Sequence, residues 1–70
     1  MIIYTNHALA RIRERKISKA QIVAAIENPE YTKLQENNIK IIRKKFGGKI
    51  LELVLETGKN KLVVVTLYWL

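Results

Sequence analysis

The chain has 70 residues, with 13 Lys or Arg against 6 Asp or Glu and a net charge of +7. It has no cysteine, which rules out disulfides, thiolate metal sites and a cysteine nucleophile; in so small a domain this points to a reducing, cytoplasmic setting. A domain of this size buries only about 60% of its unfolded surface, and a substrate cavity of roughly 300 Å³ would hollow out its core, so chemistry is expected in a surface groove that takes a polymer rather than a metabolite.

Met1-Ile2-Ile3-Tyr4 reads as an extended segment or a lead-in, and it is too short for the apolar region of a signal peptide. Thr5 and Asn6 are N-cap residues, and His7 to Arg15 then reads as a short helix with Ala8, Leu9 and Ile12 as its apolar stripe. His7, Arg11 and Arg15 recur every four residues and share a polar face. Ser18 with Gln21 three residues later is a capping-box pattern. It opens a second helix with Ile22, Val23, Ala25 and Ile26 inward, which Asn28-Pro29 stops.

Beyond Pro29 the period becomes extended. Tyr31 to Gln35 is a first strand, Glu36-Asn37-Asn38 a turn, and Ile39 to Phe46 a second strand. Gly47-Gly48 is a hairpin signal between two runs of strand formers. Lys49 to Glu56 is a third strand, Gly58-Lys59-Asn60 a turn, and Lys61 to Trp69 a fourth. The longest apolar run, Leu62 to Leu70, is broken by Thr66 and falls far short of the ~20 residues of a membrane helix. Short connections predict an antiparallel meander. The expected fold is α+β: one domain over residues 1–70, two N-terminal helices on a four-stranded antiparallel sheet, ααββββ.

Alternation assigns faces. Leu51, Leu53 and Leu55 point to the helices, with Val63, Val65, Leu67 and Trp69 on the same side. Ile42 and Phe46 suit the core, with Lys40 and Lys44 as edge or snorkelling partners. Ile41, Arg43 and Lys45 are then expected on the outer face with Thr66 and Tyr68.

The charge is blocked. Arg11, Arg13, Arg15 and Lys16 outweigh Glu14 in the first segment, and Lys33, Lys40, Arg43, Lys44 and Lys45 outweigh Glu36 in the strands. Two basic segments flanking a mildly acidic one form a nucleic-acid footprint, or else a solubilising surface. No metal-ligand spacing and no phosphate loop is present, so neither metal nor cofactor is expected. His7 is an acid–base group, a helix-start residue that caps or packs, or a binding contact alone. Arg11 and Arg15 could grip a phosphodiester or form ion pairs with Glu14 or Glu30. Arg43 and Lys45, with Lys44 on the other side, are either a basic binding strand or charges guarding a sheet edge. Tyr68 either stacks a base or buries with its hydroxyl bonded. Trp69 reads as core.

The run His7-Ala8-Leu9-Ala10-Arg11, then Arg15-Lys16-Ile17-Ser18 and Ile26-Glu27-Asn28-Pro29, resembles the opening of an uncharacterised small-domain family. The later Ile42-Arg43-Lys44, Gly47-Gly48 and Val65-Thr66-Leu67-Tyr68 extend the resemblance over nearly the whole chain. That family is grouped with the RelE-like fold, in the superfamily of barnase-like and colicin-type ribonucleases. The resemblance implies a metal-independent endoribonuclease toxin of a toxin–antitoxin module, or a descendant of one. Its partners would be RNA, including ribosome-bound mRNA, and a cognate acidic antitoxin. It implies a site drawn from His7, Arg11, Arg43 and Tyr68 for catalysis, with Arg15 and Thr66 holding RNA, to which the basic strand adds Lys44 and Lys45. Such cleavage needs a base for the 2′-hydroxyl, cations for the phosphate and an acid for the leaving oxygen. Two other functions fit the residues: a non-catalytic RNA- or ribosome-binding module, and an interaction domain for an acidic protein.

Overall fold

A computed structural model describes residues 1–70. The chain runs β1 (Ile2–Tyr4), α1 (Asn6–Arg15), α2 (Lys19–Glu27), β2 (Tyr31–Leu34), β3 (Ile39–Phe46), β4 (Lys49–Gly58) and β5 (Lys61–Trp69). The strands form one mixed sheet in the order β1-β5-β4-β3-β2. From β2 to β5 it is the expected antiparallel meander. One edge corrects the four-stranded expectation: β1 pairs in parallel with β5, Ile2 opposite Leu62 and Tyr4 opposite Val64.

Turn chemistry sets the hairpins. Gly47 alone of its two-residue loop has positive φ, +64°, as a type II′ turn requires at its first central position. Asn37 and Asn38 both lie in the left-handed region, which marks a type I′ turn.

Both helices cover one face of the sheet, α1 over β1 and β5, α2 over β3 and β4. Thr5 caps α1 by accepting the Ala8 N–H at 3.0 Å. The same hydroxyl donates to the Val65 carbonyl at 2.7 Å, and the Thr5 N–H bonds the Val64 carbonyl. The cap thereby fixes the helix to the last strand. Ser18 and Gln21 form the capping box that starts α2. Ala8, Ile22 and Ala25 are wholly buried. Leu9, expected inward, is 41% exposed; the inward stripe of α1 narrows to Ala8 and Ile12.

Leu51, Leu53, Leu55, Ile42, Val64 and Leu67 complete the core. β5 departs from simple alternation. A bulge between Val54 and Leu55 shifts the register, so Leu67 faces Leu53 while Val64, not Val63 or Val65, faces Leu55. The expected inward set Val63, Val65, Leu67, Trp69 is therefore corrected to Leu62, Val64, Leu67 and Trp69. The extra residue, Val65, is the one whose carbonyl Thr5 binds. Trp69 is core-facing as expected, edge-on to Phe46 with ring centroids 6.3 Å apart.

Candidate nucleic-acid interface

With both helices on one face, the opposite face of the sheet is left open, and the ladder registers arrange its side chains in rows. One row crosses four strands: Tyr31 opposite Arg43, Arg43 opposite Glu52, Glu52 opposite Tyr68. The next holds Lys33, Ile41, Val54 and Thr66. The hairpin at Gly47-Gly48 determines the Arg43–Glu52 pair, because each residue stands equally far from the two-residue loop. Tyr68 joins them only through the bulge. An unbroken register from the Lys59-Asn60 turn would set it opposite Leu51 and turn it to the helices.

Glu52 is the focus of the row. Only 5% exposed, it is the sole buried charged residue, and burial of a carboxylate requires partners. Arg43 Nε donates to its Oε1 at 2.6 Å, and the Tyr68 hydroxyl donates to Oε2. Burial pushes the Glu52 carboxyl up, but the bonds from Tyr68 and Arg43 and the guanidinium charge outweigh it, so the group titrates below its ordinary range. The bond to Glu52 first, and burial second, push the Tyr68 phenol up. The same bond to Glu52 raises Arg43. Arg43 also lies over the Tyr31 ring, 4.6 Å from its centroid. With Nε committed to Glu52, the terminal N–H groups of the guanidinium remain for a ligand.

Beside this row lies a groove of about 230 Å³ lined by Glu30, Tyr31, Arg43, Lys44, Lys45 and Ile50. It forms because β2 is short. β2 covers β3 only from Lys40 to Arg43, so the edge of β3 lies open beyond that point. Glu30 finishes the ladder there: its N–H bonds the Arg43 carbonyl, and its Oε1 accepts the Lys45 N–H. The groove wraps round this open edge, which is why Lys44 and Lys45, on opposite faces, both line it. Lys44 also reaches the Asn28 carbonyl at 3.1 Å.

The expected site residues divide into two groups. Arg43, Tyr68, Thr66 and Lys45 share the open face, and Lys44 reaches them through the groove. His7, Arg11 and Arg15 ride on α1, on the helical side of the sheet. His7 is exposed. Arg11 is bonded to Glu14 at 2.7 Å, the ion pair that was one of its two readings. The Arg15 carbonyl accepts Trp69 Nε1–H, placing that end of α1 against the inward face of β5. The sheet lies between the two groups, so His7, Arg11 and Arg15 do not share a face with Arg43 and Tyr68.

Sequence reasoning missed Glu52, Glu30 and Tyr31. A lone acid between Leu51 and Leu53 in a central strand, with Arg43 at the matching distance across the Gly-Gly turn, was the available signal for Glu52. Glu30 and Tyr31 carried no comparable signal, since the groove depends on where β2 begins.

A family model described as a domain of unknown function, DUF4258, matches residues 4–69. The chain belongs to that family. No curated protein and no solved structure matches it. The match spans both α1 and the open-face row of this DUF4258 domain. No cluster of three or more His, Cys, Asp or Glu is assembled that could hold a metal, and no helix is long and apolar enough to cross a membrane.

Proposed function

We propose that this domain binds RNA through the groove at the open edge of β3 and the adjoining sheet face. The observation that carries the reading is the convergence of three consecutive cations, Arg43, Lys44 and Lys45, on one groove beside an exposed tyrosine. Cations neutralise phosphates, and aromatic faces stack bases, which together suit a polynucleotide better than an acidic protein. The resemblance to the RelE-like superfamily supports RNA as the polymer and a cytoplasmic setting. His7, Arg11 and Arg15 are not needed for this role.

The test is fluorescence anisotropy with a labelled RNA, comparing an Arg43→Ala, Lys44→Ala, Lys45→Ala variant with a His7→Ala, Arg11→Ala variant. The strand variant is expected to lose at least tenfold in affinity and to flatten the salt dependence by about 0.7 in log–log slope per lost phosphate contact. The helix variant is expected to bind like the parent. Unchanged binding by the strand variant overturns the reading.

Metal-independent cleavage is the second reading, favoured by the meeting of a carboxylate, a guanidinium and a phenol at Glu52, Arg43 and Tyr68. In this reading bound RNA parts the Tyr68 hydroxyl from Glu52: Arg43 would hold the phosphate, the freed carboxylate oxygen would take the 2′-hydroxyl proton as that oxygen attacks phosphorus, and the freed phenol would protonate the departing 5′-oxygen. A toxin role, action on ribosome-bound mRNA and a neutralising acidic antitoxin belong to this reading. Glu52→Gln is expected to slow cleavage about 100-fold while RNA stays bound. Intact RNA after incubation with the parent protein ends it.

A further inference from the structure

The groove has features that bear on which RNA it takes. Its volume, about 230 Å³, has room for one planar ring system. One face of the Tyr31 ring is covered by the Arg43 guanidinium, and the residue still exposes 42% of its surface. A tyrosine and a guanidinium plane are the surfaces on which unstacked bases settle. Duplex RNA keeps its base faces stacked and its major groove too narrow for side chains to read, so it offers nothing for this platform.

Glu30 supplies the other feature. A carboxylate in a basic, phosphate-binding groove repels a phosphate, so its presence needs a reason. Part of the reason is structural, because Oε1 accepts the Lys45 N–H at 2.5 Å. That leaves Oε2 as an acceptor on the groove wall. A carboxylate accepts hydrogen bonds and never donates them, so it bonds an exocyclic amino group well, whereas uracil offers it only a ring N3–H set between two carbonyl oxygens that repel it.

We infer that the groove receives one unpaired nucleobase bearing an amino group. The base lies on the Tyr31–Arg43 platform, its amino group donates to Glu30, and Lys44 and Lys45 hold the flanking phosphates. The inference rests on the RNA-binding reading above and names the form of RNA and the base class it selects.

The probes are fluorescently labelled homopolymers of adenylate, cytidylate and uridylate of equal length, and a duplex of adenylate with uridylate, read by anisotropy. The single strands of adenylate and cytidylate are expected to bind on the order of tenfold tighter than uridylate, and tighter than the duplex. Tyr31→Ala is expected to lower single-strand affinity about tenfold and leave duplex binding unmoved. Glu30→Gln is the decisive variant. Its carbonyl still serves the Lys45 N–H, while its amide now donates and finds an acceptor on every base, so the preference for adenylate and cytidylate over uridylate is expected to disappear. Circular dichroism confirms that both variants stay folded. Equal binding of the three homopolymers by the parent, or an unaltered preference in Glu30→Gln, overturns the base assignment and leaves RNA binding standing. Equal affinity for duplex and single strand overturns the single-strand assignment. Failure to bind any of the probes at low salt overturns the RNA-binding reading itself, and with it this one.

Discussion

Glu52 has only its two donors in place of water, and each donor ties the open face to a different strand. Removing the carboxylate with Glu52→Ala leaves both donors without their acceptor in a half-buried setting, at an expected cost of about 1–3 kcal/mol, measured by urea unfolding. The same contacts make stability depend on pH at both ends. Glu52 titrates lower when folded than when unfolded. Its contribution is therefore complete above the ordinary carboxylate range, near pH 4.3, and is lost as pH falls through the lower folded value. Tyr68 titrates higher when folded. Its contribution is complete below about pH 10 and is lost as pH rises through the higher folded value. Melting temperature against pH is expected to show a shallower acid limb in Glu52→Gln and a shallower alkaline limb in Tyr68→Phe.

Among the elements, β5 decides what the open face contains. Its bulge turns Val64 inward and Val63 outward while keeping Tyr68 beside Glu52. Val64→Thr would bury a hydroxyl without a partner, at about 1–3 kcal/mol, whereas Val63→Thr is expected to stay within about 0.5 kcal/mol, as for an ordinary surface change. A larger cost for Val63→Thr than for Val64→Thr would mean that the register of Thr66 and Tyr68 runs unbroken to the turn. Thr5→Ala removes the α1 cap and its bond to the bulge together, and is expected to cost about 1–2 kcal/mol.

The bulge also marks where sequence reasoning stopped. Alternation identified Leu51, Leu53 and Leu55 as inward because that stretch keeps a strict period of two, and it placed Arg43 and Tyr68 outward although their own strands alternate poorly. In an all-apolar run such as Leu62 to Val65, every position looks inward, so no pattern reveals one extra residue. β1 escaped for a related reason: three residues are too few to show a period, and their partners lie about sixty positions away. The helix caps at Thr5 and Ser18 were legible because their chemistry is local.

At the scale of the whole molecule, the net charge of +7 is split by the sheet into two surfaces. The helical side carries Arg11, Arg13, Arg15, Lys16 and Lys19, and the groove side Arg43, Lys44 and Lys45. A non-specific polyanion such as heparin can use either. Charge removal on α1 is expected to weaken heparin retention on a column about as much as removal in the groove, whereas the RNA affinity above responds to the groove alone. This contrast separates general attraction, which follows net charge, from recognition, which follows placement.

The pairing of β1 with β5 also has a consequence for biosynthesis. Ile2 to Tyr4 meet Leu62 to Val64, so β1 has no partner until β5 has left the ribosomal tunnel. The second bond of Thr5, to Val65, waits equally long. A nascent chain halted short of Val65 therefore lacks the seam that closes the sheet and anchors α1. Contacts of such long separation slow folding, so the emergence of β5, not of the two helices, sets when this domain becomes resistant to protease.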